Sequence, residues 1–239
     1  MTIKVLQHQN EITSARRQML KRGASILPPR WAYRLLTTIG LSSFLRGDLI
    51  KSWDIWETAC FLEKYVSREE SVIDLGAYRS EILHVLHRIG FTSLHGVDLN
   101  PELIHEPHYN NITYIVGDFH CNPYANNSFA AITSISAIEH GHDLKKLLRE
   151  VARLLKPGGY FICSTDYWPE KISTHGARVL GMSWTIFSTE ELRNILVEAQ
   201  ALGLYPVGPL ELEASQPTVH YSGKSYTFAW FVLRKIEAS

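Results

Sequence analysis

The 239-residue chain is 45% hydrophobic and 20% charged, with 24 basic and 24 acidic residues, so it is long enough to bury a substantial core and its formal net charge of zero points to no partner. Its cysteines, Cys60, Cys121 and Cys163, are odd in number and lack C-x-x-C spacing, which argues against a disulfide framework or a cysteine metal cage and suits a reducing cytoplasm. No apolar run approaches the ~20 residues of a membrane span, and the polar start lacks the apolar stretch of a secretory signal.

Charge is uneven along the chain. Residues 1–51 hold nine Lys and Arg against Glu11 and Asp48, a local balance of plus seven, so the remainder is minus seven. Such an arm fits a membrane surface, a phosphorylated substrate or nucleic acid, and more simply a solvated helical face. Pro28 and Pro29 should end a helix running from about residue 10 to 23 and let another begin near Arg30. The most apolar early stretch, "WAYRLLTTIGLSSFL" at 31–45, is interrupted by Arg34 and reads as an amphipathic or packed helix that could rest against a membrane. Residues 1–65 therefore read as an N-terminal helical cap on a second domain spanning 66–239.

From Ser71 the pattern changes to alternating strands and helices. Buried strands are expected at 71–75, 92–99, 112–118, 129–136 and 160–166. Between them, Ile82, Val85, Leu86 and Ile89 fall on one helical face that Gly90 should close, and Leu144, Leu147, Leu148 and Val151 repeat the spacing before "KPGG". Ser188 and Glu191 form a capping box ahead of Leu192, Ile195, Leu196 and Ala199. Two late strands, near 204–212 and 225–233, could form an antiparallel edge. This order argues for a parallel sheet covered by helices on both faces.

In such sheets ligands sit at the carboxyl ends of the strands, and Asp74, Asp98 and Asp118 each close one. Asp98, placed after "VIDLGAYRS", could accept hydrogen bonds from a ribose, or could cap a helix that starts near Pro101. Asp118 could accept from an exocyclic amine with Phe119 beside the ring, or the pair could simply form a turn. The turn after the first strand keeps only Gly76, followed by Ala77, Tyr78, Arg79 and Ser80. A pyrophosphate needs bare backbone N–H groups at close range, so this loop argues against NAD or FAD. Ser80 could instead cap the following helix.

Taken in order, "VIDLGA", "GVDLNPEL", "VGDF", "NNSFAAITSISAIEH" and "LLREVARLLKPGGYFICST" resemble the class I methyltransferases that use S-adenosyl-L-methionine, particularly the type 11-like group, over roughly residues 55–235. The resemblance implies a Rossmann-like, seven-stranded, mostly parallel sheet with an antiparallel last strand. It places Gly76 at the first glycine of the cofactor loop, Tyr78 and Ser80 at the second and third, Asp98 at the ribose and Asp118 near the adenine amine. The implied cofactor-lining set is Asp74, Gly76, Ala77, Tyr78, Ser80, Asp98, Leu99, Asp118, Phe119 and Ser136. S-adenosylmethionine has no phosphate, so side chains at positions 78 and 80 are tolerable.

Methyl transfer from a sulfonium asks the protein to align the acceptor and, for a hydroxyl, to remove its proton. His140, just beyond the fourth expected strand, is the candidate base; it could equally orient its loop. Glu139, His140 and His142 are poorly spaced for a metal, and none is expected. Glu139, Asp166, Tyr167 and Trp168 are the candidate acceptor residues, since aromatic rings beside carboxylates suit a saccharide or another ring-bearing small molecule. The sequence thus predicts a cytoplasmic O-methyltransferase, monomeric or homodimeric. A catalytically silent methyltransferase fold serving as a scaffold is the competing reading, prompted by Tyr78 and Ser80. A nucleic-acid substrate is disfavoured because "SISAIEH" stands where amino-methylating enzymes carry a D/N-P-P-Y-type motif.

Overall fold

The computed structural model describes residues 3–41, 45, 47–141, 143–179 and 181–236. In chain order the elements are β1 (Lys4–Val5), α1 (Gln9–Lys21), α2 (Arg30–Thr38), α3 (Ser52–Tyr65), β2 (Ser71–Leu75), α4 (Ile82–Arg88), β3 (Ser93–Asp98), β4 (Ile112–Val116), β5 (Phe129–Ile135), α5 (Leu144–Leu154), β6 (Leu155–Tyr167), β7 (Arg178–Val179), β8 (Met182–Ser183), α6 (Thr189–Gln200), β9 (Leu204–Pro206), β10 (Val219–Tyr221) and β11 (Lys224–Lys235).

The main sheet runs β4-β3-β2-β5-β6-β11, with the first five strands parallel and β11 antiparallel to β6. The order reverses between β2 and β5, which opens the crevice where ligands of such sheets bind. β9 pairs antiparallel with β11 as the expected late edge and completes seven strands; β1 and β10 also pair with β11. The first 65 residues therefore include a strand as well as helices, with Lys4 opposite Trp230 and Val5 opposite Ala229. Two residues are too few to leave a period-2 signal in the sequence.

Strand alternation divides the core. Val72, Ile162, Phe228, Trp230 and Val232 face α1, α3 and α4, whereas Ile73, Leu75, Phe161, Cys163, Phe231 and Leu233 face α5 and α6. On the second face Leu147, Leu148, Val151 and Leu154 of α5 are buried, as their spacing predicts. Ser188 and Glu191 form the expected capping box at the start of α6. "KPGG" continues directly from α5 into β6, where the pairing with β5 shifts register between Phe129 and Ala131.

Among the described residues, four of the nine basic residues of the arm find carboxylate partners inside the molecule. Lys4 pairs with Glu57, Arg16 with Glu81, Arg22 with Glu63 and Lys51 with Asp166, all four acids lying beyond residue 51. The excess charge of the first 51 residues thus fastens them to the oppositely charged remainder. Arg16 and Glu81 form the most enclosed of these pairs, bidentate at 2.8 and 2.7 Å with both residues buried. Glu81 also accepts from the Ser25 hydroxyl at 2.9 Å and the Ile26 N–H at 3.0 Å.

Removing one partner of a buried pair strands the other charge. Glu81→Ala should therefore cost about 3–5 kcal/mol of folding stability. Urea denaturation followed by circular dichroism measures it, and an unchanged midpoint would show the pair to be dispensable.

Candidate active site at the carboxyl ends of the central strands

The loop after β2 is shaped by close packing and by carboxylates. Gly76 has φ +91°, and a Cβ placed on it would stand 2.6 Å from the Ala137 side chain. Only glycine fits there. The Gly76 and Ala77 N–H groups both donate to the Val97 carbonyl, at 2.9 and 3.1 Å. The Tyr78 N–H donates to Asp98 Oδ2 at 3.0 Å and the Arg79 N–H to Glu106 Oε1 at 3.3 Å. Arg79, at φ +57°, takes the left-handed conformation, and its guanidinium donates to the Leu45 carbonyl.

These contacts explain the missing glycines. A phosphate-binding loop keeps its N–H groups free for the ligand, whereas here four successive N–H groups already face carbonyl or carboxylate oxygens. A pyrophosphate would also meet the negative charges of Asp98 and Glu106.

Asp98 ties two loops together, since its Oδ1 accepts from the Asn100 N–H at 2.8 Å while Oδ2 holds Tyr78. The cap of the short turn Pro101–His105 is Asn100, so Asp98 is left half-buried at the strand end, where a ribose could reach it. Ser80 does not cap α4: Glu81 occupies that position, and neither side chain bonds the helix N–H groups. The Ser80 hydroxyl is buried instead beside Asp74. Asp74 lies fully buried beneath the loop, accepts from the Thr133 hydroxyl at 2.6 Å, and burial pushes its pKa up to about 6. It braces the loop from below.

A cavity of about 430 Å³ opens between this loop and the N-terminal segment. Gly76, Tyr78, Arg79, Ser80 and Ser136 line one side, and Tyr33, Asp48 and Lys51 the other. Its size lies within the range of small-ligand sites. Ser136 ends β5 at φ +50° and is hydrogen-bonded to the Lys51 ammonium. Leu99 is exposed at the mouth of β3. Asp118 forms a turn, accepting from the His120 N–H and ring, and Phe119 is only 3% exposed in the α5/α6 core. The Phe119 ring is therefore a packing residue and not an open platform beside the cleft.

Behind Lys51 lies a buried polar cluster that joins the expected Glu139, His140 and Asp166 to Lys51 and Asp54, which the sequence pattern did not single out for the site. The Lys51 ammonium stands 3.5 Å from Asp166 and 3.7 Å over the Phe228 ring. Burial lowers its pKa, but Asp166, Glu139 and Asp54 more than offset that, so it stays charged. Asp54, bonded by the Ser164 hydroxyl at 2.9 Å, is pushed up by burial to about 6. Glu139, held by Thr165 at 3.2 Å, is pushed up by burial and by Asp166 to about 8, so it is mostly protonated at neutral pH. His140 is half-buried; burial, opposed by Asp166 and reinforced by Lys51, lowers its pKa and keeps the imidazole neutral. Its Nδ1 is buried without a hydrogen-bond partner among the described residues.

The expected acceptor loop divides between two faces. Asp166 points toward α3, its Oδ2 accepting from the Trp184 indole at 2.7 Å. Tyr167, the next residue of the strand, must point the other way. It is fully buried and donates to the Leu212 carbonyl, which removes it from the acceptor set. Trp168 is half-buried and packs on the Asp166 side. His142 lies outside the described residues, and among those described no cluster of His, Cys, Asp and Glu could hold a metal ion.

Residues 73–163, from β2 into β6, match the family model described as a methyltransferase domain. Over that stretch the chain is similar to methyltransferase domains. The Corynebacterium efficiens demethylmenaquinone methyltransferase is 33% identical over 90 residues, 38% of this chain and 39% of that protein. A Legionella pneumophila ubiquinone/menaquinone biosynthesis C-methyltransferase is 27% identical over 115 residues, 44% of this chain and 46% of its own. The matches thus span less than half the length of these curated relatives. Among solved structures, the complex of the Haloferax volcanii Trm112 methyltransferase activator with its methyltransferase aligns with a TM-score of 0.60 at 21% identity, covering 86% of this chain and 97% of that one. That likeness shows the methyltransferase-domain fold.

Two outcomes follow from this geometry. Gly76→Ala puts a methyl group against Ala137 in a left-handed conformation, so at least a tenfold loss of ligand affinity at the loop is expected in calorimetry with S-adenosylhomocysteine. Glu139 binds a proton in the folded chain that the unfolded chain releases above about pH 4.5, so its contribution to stability declines as pH rises toward about 8. The urea midpoint of the wild type should fall between pH 5 and 8 more steeply than that of Glu139→Gln. Superimposable profiles would mean that Glu139 is ionised in the fold.

Proposed function

We propose that the protein transfers a methyl group from S-adenosylmethionine to a small acceptor whose reacting atom must lose a proton. The observation that carries this reading is the loop after β2: its backbone is held by carboxylates, it closes on Gly76, and it borders a cavity suited to a ligand without phosphate. The residues present fit such a cofactor. Asp98 would hold the ribose, while the Gly76–Ser80 backbone, Tyr78 and Ser136 would line the methionine end. When bound, the cofactor supplies a methyl group activated by the sulfonium charge.

Two features support proton removal as the protein's part in the reaction. His140 offers a neutral imidazole nitrogen with no partner among the described residues, and the Asp166 carboxylate nearby favours a proton taken on that ring. Lys51 is placed to stabilise negative charge that develops on an acceptor oxygen or enol. The saccharide reading loses support because Tyr167 faces the opposite core and Asp166 is occupied by Lys51 and Trp184. An aromatic or enolic hydroxyl, methylated on oxygen or on the adjacent carbon, fits the cluster better. The Legionella pneumophila relative is a ubiquinone/menaquinone biosynthesis C-methyltransferase, which agrees with that chemistry.

Calorimetry with S-adenosylmethionine and S-adenosylhomocysteine tests the cofactor assignment. Micromolar binding by the wild type and at least tenfold weaker binding by Asp98→Ala are expected; no binding at millimolar cofactor would defeat it. With an acceptor in hand, His140→Ala should lower kcat by about 10²–10⁴ without changing cofactor affinity. Undiminished turnover would remove His140 from the mechanism.

A further inference from the structure

Helix α2 stands apart from every other helix longer than two turns in having no buried residue. Its other side carries Ala32, Tyr33 and Leu36, all half-buried, with Tyr33 forming part of the cavity wall. Its outer side carries Trp31, Leu35 and Ile39 at four-residue spacing, exposed by 72, 55 and 57%, and Leu41 extends the stripe. Beside that stripe Arg30 and Arg34 are exposed and form no ion pair among the described residues, in contrast to Arg16, Arg22 and Lys51.

We infer that α2 is a docking helix for an anionic lipid surface. A tryptophan and two long aliphatic side chains on one face, with arginines at its border, is the pattern of a helix lying in the plane of a bilayer interface, apolar side inward and guanidinium groups at the phosphates. Charge favours lipid over a second copy of the chain. Residues 30–50 hold Arg30, Arg34 and Arg46 against the single acid Asp48, which caps the following turn and faces the cavity. Two copies joined through this face would bring arginine toward arginine with no carboxylate on either helix to meet it. Because Tyr33 belongs to the same helix, docking also brings the cavity to the lipid surface, where an acceptor dissolved in the bilayer would reach it. That last consequence rests on the methyl-transfer reading, whereas the docking itself rests on α2 alone.

Co-sedimentation of the full chain with vesicles tests docking without any cofactor or acceptor. The wild type should pellet with vesicles containing equal parts phosphatidylglycerol and phosphatidylcholine, at least tenfold more weakly with phosphatidylcholine alone, and less as salt rises. The triple substitution Trp31→Ser, Leu35→Ser and Ile39→Ser, all at exposed positions, should abolish pelleting, and Arg30→Gln with Arg34→Gln should remove the preference for anionic lipid. Thermal unfolding and S-adenosylhomocysteine binding of the variants verify that the fold persists. A wild type that stays in the supernatant with anionic vesicles, or variants that pellet as it does, would overturn the inference. So would a dimer in solution that the triple substitution converts to monomer in the absence of lipid.

Discussion

The buried ion pair between Arg16 and Glu81 is the constraint on which the rest of the site depends. Glu81 directly follows the loop Gly76–Ser80, and Arg16 lies on the first helix, so one enclosed bidentate contact fixes the N-terminal segment against the cofactor-loop side of the sheet. Ser25 and the Ile26 backbone complete the coordination of the carboxylate, which limits the cost of burying two charges. With the N-terminal segment held there, Tyr33, Asp48 and Lys51 become the second wall of a cavity whose first wall is the loop.

The loop itself shows how a nucleotide-type turn can dispense with most of its glycines. Of the residues after Leu75, Gly76 and Arg79 adopt positive φ, and only Gly76 is hemmed in so closely that a Cβ cannot be placed. Tyr78 and Ser80 keep ordinary backbone conformations, so side chains there carry little strain. What holds the turn is a pair of carboxylates, Asp98 and Glu106, each accepting a loop N–H. That arrangement suits a cofactor joined to its ribose through a sulfonium and is hostile to a diphosphate. The acid cluster behind it is graded by burial: Glu139, pushed up to about 8, is mostly protonated at neutral pH, whereas Asp54, pushed up only to about 6, stays mostly ionised and helps Asp166 hold the charge of Lys51.

The sheet was legible in the sequence because its strands are buried on both faces and stand out as short apolar runs, and because Asp74 and Asp98 end two of them. The capping box at Ser188 and Glu191 was legible for a local reason, its members being three residues apart. How the N-terminal segment docks was not, because its contacts join residues remote in sequence: Arg16 to Glu81, Lys51 to Asp166, Lys4 to Glu57. Lys51 belonged to a basic arm that reads most simply as a solvated helical face, and nothing in the sequence sets Asp54, one helical turn on, apart. Tyr167 was misplaced because adjacent strand residues point to opposite faces, so the run Asp166-Tyr167-Trp168 cannot present three side chains to one ligand. Phe119 looked like a stacking platform for a similar reason: its neighbour Asp118 is half exposed, while the ring turns into the core.

The central claim is that this loop is built for a phosphate-free adenosyl cofactor. Competition calorimetry measures it directly, by titrating S-adenosylhomocysteine into the wild-type chain with and without saturating NAD. The structure predicts a single site with micromolar affinity for S-adenosylhomocysteine that NAD leaves unchanged. Displacement by NAD, or tighter binding of the dinucleotide, would contradict the account.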